Sequence, residues 1–242
     1  MPSTAQEWLW EKWCEYWSQI DDLRTKHGAK LVYVNNGDLT EGFHHHSTQI
    51  HSVNPIDQHK MAAAVLSVPL SLNPDEVWII RGTVAHVGPN ASFEEALARE
   101  IGAEHDEETG TYSHWVKALK AHGKIIEFAH HARNWGRPWT KHTAVGTLAA
   151  EITYDYANDP GRRPAVVFRS DQHRWNDSGD IHPVRVVITG CFQLATSFIH
   201  KIAPGKLPHI GGASALVHPD GEIEVKKHKF PFERDEPVEV VA

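Results

Sequence analysis

The chain has 242 residues, 40% of them hydrophobic, enough to bury the core of one large α/β domain, and it reads as a single domain over residues 1–242. A formal charge of −7 excludes a globally basic surface, so any contact with nucleic acid must come from a local patch. Cys14 and Cys191 lack the spacing of a zinc knuckle or a disulfide framework and are expected to be reduced and buried. No apolar run approaches the ~18 residues of a membrane span, and the opening MPSTAQEW lacks the basic-then-apolar layout of a signal peptide, so the chain reads as cytoplasmic and free of membrane.

From Thr4 to His27 the residues Leu9, Trp13, Tyr16, Trp17 and Ile20 form an apolar stripe at helical period, and Thr4 stands three residues before Glu7 in the form of a capping box. Trp8 and Trp10 fall off that stripe, toward a partner surface or further core packing. A short strand at 31–34 breaks into Asn35-Asn36-Gly37-Asp38. A helix follows from Pro55 to Leu70 behind Asn54, then a strand at 77–80 that breaks at Arg81-Gly82-Thr83. A helix opens at Ser92 and runs to Ile101, with Glu94 and Glu95 in its first turn. A third strand, 124–129, ends in His130-His131, and a helix is expected from about Thr140 to Asn158. The fourth strand, 165–168, ends in Arg169-Ser170-Asp171. Beyond it only strands are predicted, at 184–189, 213–217 and 222–225, and the tail from Pro231 is charged. Alternating strands and helices followed by strands alone predict an α/β core with a mixed second sheet.

In open α/β sheets ligands bind beyond the carboxyl ends of the strands. Here those ends supply Asp38, His86, His130 or His131, then Asp171 and His173, all able to bind a divalent metal. Residues two apart on an extended segment share a side, so Asp171 and His173 are expected to face one centre together. By the same reasoning His130 and His131 should point apart, with His130 the preferred ligand and His131 the alternate. Asp38 could instead be a turn residue bonded to its own backbone, and His86 a packed loop histidine. Three consecutive side chains cannot converge, so His44, His45 and His46 read as a loop near the site.

These blocks, in order, resemble the calcineurin-like metallophosphoesterase superfamily, with its Mre11-type nucleases. The segment from Asn36 to Gly42 looks like that family's Gly-Asp block, and 81–86 resembles its third block, with Thr83 in place of an Asn and the His displaced to His86. Residues 128–131 are similar to its lone-His strand end, and 169–173 to its last block. The stretch 136–140, GRPWT, resembles phage-borne members, which places the chain in a host cytoplasm. The family's opening Asp-x-His strand has no counterpart here, so the resemblance implies a metallophosphoesterase-like α/β sandwich of mixed sheets flanked by helices, with its first core strand absent from this chain. It leaves open a shortened chain, a second polypeptide in the gap, or a reduced site. Asp177, Asp180 and His182 could fill the vacant positions.

The resemblance implies a metal-dependent phosphoesterase of phosphodiesterase or nuclease type. Asp38, His130, His131, Asp171 and His173 would be ligands, with His86 donating a proton to the leaving oxygen. Arg133 and Arg137 would clamp the phosphate, and Trp135 or Trp139 could stack on a base. Asp171 at a position where the family has His is a hard oxygen ligand and favours Mn²⁺, with Mg²⁺, Fe and Zn²⁺ as alternatives. The substrate is a phosphate ester, with nucleic acid or a nucleotide in range. The rival reading is a catalytically degenerate member acting as a binding or assembly module. A missing central strand would expose backbone groups and the apolar face of the first helix, so a homo-oligomer or a partner chain is expected.

Overall fold

The computed structural model describes residues 2–43, 50–132, 141–202, 205 and 207–232. Helix α1 (Thr4–His27) is capped by Ser3 and not by Thr4. The Ser3 hydroxyl accepts from Gln6 N–H at 3.3 Å while the Gln6 side chain accepts from Ser3 N–H at 2.8 Å, so the reciprocal capping pair lies one residue earlier than expected. Gly28, at φ 59, ends the helix in a left-handed residue.

Three sheets follow. Strands β1 (Val32–Asn35), β2 (Glu76–Ile80) and β3 (Ser113–His114) form a parallel sheet in that order, with α2 (Pro55–Ser71) connecting the first two. Asn54 caps α2 through Ile56 N–H, and Pro55 occupies the first turn, where no backbone donor is needed. A short α3 (Val84–Val87) and α4 (Ser92–Glu100) lie between β2 and β3. Ser92 is the first helical residue of α4 and not its cap. The cap is Ala91, at φ 55, with no side-chain bond.

The second sheet is mixed, with order β4-β5-β6-β8-β7. Its strands are β4 (Val116–Ala121), β5 (Lys124–Ala129), β6 (Val166–Arg169), β7 (Asn176–Asp177) and β8 (Arg185–Ile188). Helix α5 (Lys141–Asp155) packs Val145 and Ala149 against Val167 and Val186 of this sheet, and α6 (Ser197–Ile202) follows β8. The last turn of α5 tightens where Ala157 N–H bonds Tyr154 C=O, which stops the helix short of Asn158. The third piece is an antiparallel hairpin of β9 (Gly211–Val217) and β10 (Ile223–Lys229). Strands β3, β4 and β7 are two to six residues long and too weakly patterned to be seen in the sequence.

The apolar stripe of α1 does not face solvent. Tyr16, Trp17 and Ile20 are buried, with Trp17 edge-on to Tyr33 and the Tyr16 hydroxyl bonded to Ala213 C=O at 2.9 Å. Trp8 packs against Phe232, leaving Trp10 as the exposed tryptophan of this helix. β1 residues, Ile210 ahead of β9, and Phe192 pack around these rings. Cys14 and Cys191 are not paired with each other, and both are half-buried where burial was expected. Among the described residues no helix is long and apolar enough to cross a membrane.

Candidate metal centre

The carboxyl ends of β1, β2, β5 and β6 meet at one place, and the loops there are built by a few backbone-directed bonds. Gly37 (φ 95) and Asp38 (φ 59) follow β1 in positive-φ conformations, which brings the Asp38 carboxylate back over the strand end. A Cβ on Gly37 would collide with the His130 ring, and one on Gly82 with the Asp38 side chain, so both glycines are required by close approach. Asn36 joins three strand ends: its amide donates to Ala129 C=O at 3.2 Å and to Ser170 Oγ at 2.8 Å, and its C=O lies 2.6 Å from His130 Nδ1.

That last bond decides the chemistry of His130. A C=O can only accept, so Nδ1 carries a hydrogen and Nε2 is left facing Asp38 Oδ2 at 3.0 Å. The ring is buried, and Nε2 has no aligned hydrogen-bond partner among the described residues. A nitrogen and a carboxylate oxygen at that separation need a cation shared between them, either a proton or a metal ion. Burial opposes the charged imidazole, but the Asp38 carboxylate and the Asn36 carbonyl overcome it and raise the His130 pKa. Burial would likewise raise Asp38, yet His130, His86 and the Thr83 N–H, which donates at 2.6 Å, hold it below the usual carboxylate range.

Asp171 completes the group. Its Oδ1 lies 3.9 Å from His130 Nε2 and its Oδ2 3.9 Å from His131 Nδ1. His130, His131 and Asp171 each offer a ligand atom within 4.8 Å of the others, a set of two nitrogens and one oxygen that fits a divalent transition metal. Two sequence expectations change here. His131 does not point away from His130: β5 ends at Ala129, and the two rings stand edge to face with centroids 5.0 Å apart, both toward Asp171. Nor is the Asp171–His173 segment extended. Both residues have positive φ (64 and 53), and Gln172 N–H bonds back to Ser170 C=O, so a tight turn and not strand alternation places them. His173 is half-buried and within electrostatic reach of Asp38, Asp171, His130 and His86, and burial lowers its pKa.

His86 sits on α3 with Nε2 3.9 Å from Asp38 Oδ2 and Nδ1 2.7 Å from Glu41 C=O. The hydroxyl of Thr40 donates to His86 C=O at 2.7 Å, so β1's loop and α3 are cross-tied. Asp177 does not join the group: Arg185 and Lys227 hold it at 2.9 and 2.6 Å, and although burial would raise it, those cations keep it at about 2. Asp180 lies 3.8 Å from the same Arg185. His44, His45, His46, Arg133, Trp135, Arg137 and Trp139 lie outside the described residues.

Glu94 is the residue the sequence did not single out. In the first turn of α4 it reads as a dipole-complementing surface acid, yet it is fully buried. Its two oxygens accept from Gly82 N–H at 2.7 Å and Leu39 N–H at 3.2 Å, clamping the loops that carry Thr83 and Asp38. Burial pushes its carboxyl up to about 7, against the two N–H groups, which favour the charged form.

No family model matches the sequence, and no curated protein matches it. Among solved structures, a single-mutant Vps29 from Entamoeba histolytica is similar over 83% of this chain and 99% of that chain, at 11% identity and a TM-score of 0.40.

Proposed function

We propose that this chain is a metallophosphoesterase-like protein that binds a divalent metal, Mn²⁺ foremost, at Asp38, His130, His131, Asp171 and His173 and hydrolyses a phosphate ester. The observation that carries the reading is His130 Nε2, buried and facing Asp38 Oδ2 at 3.0 Å while its other nitrogen is committed to Asn36. A divalent ion held there would supply Lewis-acid polarisation of a phosphoryl oxygen and acidify a nearby water. The chain's own residues do the rest. Asp38 and Asp171 supply the anionic oxygens, and Asn36 fixes the His130 tautomer so that its free nitrogen meets them. His86 is the proton donor to the leaving oxygen: its Nδ1 is tied to Glu41 C=O, so protons exchange through Nε2, the nitrogen that faces Asp38. Arg133 and Arg137 are the proposed phosphate clamp, with a nucleotide or nucleic acid as the substrate class.

One observation favours the second reading, a metal-binding module without catalysis. Among the described residues one set of three donors, His130, His131 and Asp171, brings all its ligand atoms within 4.8 Å of one another, enough for one ion, whereas in-line hydrolysis across a metal pair needs two. Metal content by mass spectrometry, paired with Mn²⁺-dependent hydrolysis of bis-p-nitrophenyl phosphate, separates the two. Two ions per chain with turnover, both lost in Asp38→Ala and His130→Ala, is the expected result. One ion without turnover selects the binding module. Metal content unchanged in both variants would sink the site itself.

A further inference from the structure

Between the parallel sheet and the hairpin lies a cavity of about 1510 Å³, larger than the roughly 300–1,000 Å³ of a small-molecule site. Its roof is α1, through Trp13, Tyr16 and Trp17, and its floor is the face of the mixed sheet, through Ile126, Phe128 and Phe168. Its two sides are strand edges. β1 is the terminal strand of its sheet, β9 has β10 alone beside it among the described residues, and both line the cavity along their whole lengths.

The backbone groups on those edges can be assigned. The N–H and C=O of Leu31 both turn toward Asp75, ahead of β2. By strand alternation Tyr33 and Asn35 also face β2, and Val32 and Val34 present their N–H and C=O groups at the outer edge. On the hairpin, His218 N–H bonds Glu222 C=O and Phe230 N–H bonds Ile210 C=O, so the even-numbered residues of β9 face β10. Gly211, Ala213, Ala215 and Val217 therefore face the cavity. Two of these have partners there already: Gly211 N–H bonds Cys191 C=O, and Ala213 C=O accepts from Tyr16. The edge groups of Val32, Val34, Ala215 and Val217 remain directed into the cavity.

We infer that this cavity receives one added β-strand, an extended Val/Ile-rich segment of another polypeptide, which hydrogen-bonds β1 on one side and β9 on the other. Such a segment would join a three-stranded sheet and a two-stranded hairpin into one six-stranded sheet, a β-augmentation with two acceptor edges in place of one. Its character follows from the walls. With aromatic rings of α1 above and of β5 and β6 below, both faces of the strand are buried, so its central residues are apolar on both faces and uncharged. The cavity also reaches Asp38, His86, His130, Asp171 and His173 of the candidate metal centre, but the inference is drawn from the strand edges and requires no metal to be bound.

The test is residue-resolved amide exchange on the full chain, with and without the peptide Lys-Lys-Val-Ile-Val-Ile-Val-Lys-Lys, and with its counterpart carrying Pro at the centre. The expected result is saturable binding of the first peptide alone, with exchange at Val32, Val34, Ala215 and Val217 slowed roughly tenfold or more and Tyr33 and Asn35 unchanged. No saturable binding, or equal binding of the Pro peptide, overturns the inference, the second outcome meaning unspecific adsorption. Slow exchange at those four amides without any peptide also overturns it. If that protection rises with protein concentration the occupant is a second copy, and if it is lost when 233–242 are removed the occupant is the chain's own end.

Discussion

Glu94 and Asn36 touch no substrate, yet each determines where a candidate ligand stands. Glu94 supplies the acceptors for two loop N–H groups, and nothing else in that buried position can replace both oxygens. Glu94→Ala is expected to lower stability by about 2–6 kcal/mol, the cost of leaving two buried donors unpaired, and to weaken Mn²⁺ binding. Glu94→Gln, which keeps one acceptor, should lose less. Urea unfolding with a parallel Mn²⁺ titration measures both effects, and a variant with full stability would show that the clamp does not hold these loops. Backbone strain points to the same region. Among the described residues seven non-glycine residues have positive φ, and three of them are Asp38, Asp171 and His173. Such conformations persist only where surrounding bonds enforce them. The residue types of the site could be read at the strand ends, but this enforcement could not, because it depends on bonds between residues 45 to 134 positions apart.

At the scale of elements, the β9–β10 hairpin is joined to α1 through one histidine. His228 is buried, with Nδ1 2.8 Å from Gln19 Oε1 and Nε2 2.9 Å from Ser214 Oγ, and its ring stands edge-on to Tyr16. Burial first, and Lys226 second, lower its pKa to about 4. Because the folded value lies below the unfolded one of about 6.5, the unfolded chain takes up the proton first. Stability is therefore full above about pH 6.5 and declines as pH falls toward 4, by up to about 3 kcal/mol for this group. Urea midpoints at pH 7.5 and pH 5 should show this loss, and His228→Gln should reduce it. An identical pH dependence in the variant would assign the effect elsewhere. The elements themselves were legible where periodicity was strong: α1, α2 and β5 run within a residue of the expected bounds. The two-residue strands β3 and β7 are too short to carry a pattern of their own and are fixed by pairing, β3 with the distant β2 and β7 with β8, so no local pattern announces them.

For the whole molecule, the candidate centre lies where the parallel sheet meets the mixed sheet: Asp38 comes from one, His130, His131 and Asp171 from the other. An ion bound there would hold the two sheets together, so binding and folding are linked. At a Mn²⁺ concentration of 100 times Kd the stabilisation is about 2.7 kcal/mol, which for a chain of this size raises Tm by roughly 5–10 °C. Asp38→Ala should abolish the rise. A rise of equal size in that variant would mean the ion binds elsewhere.

Residue chemistry and the succession of the longer helices and strands were determined by the sequence itself. Short β-branched runs ending in Asp or His are local features, and an α/β alternation needs only local patterning to be recognised. What the tertiary structure alone decided is which of those residues meet and in what state. His131 turns toward Asp171 because β5 stops at Ala129, and Asp171 and His173 are placed by a tight turn where an extended strand was expected. Asp177 is drawn off by Arg185 and Lys227. The open edges of β1 and β9 face one cavity only once α1 has packed across both, an arrangement of elements some 180 residues apart that no window of sequence contains.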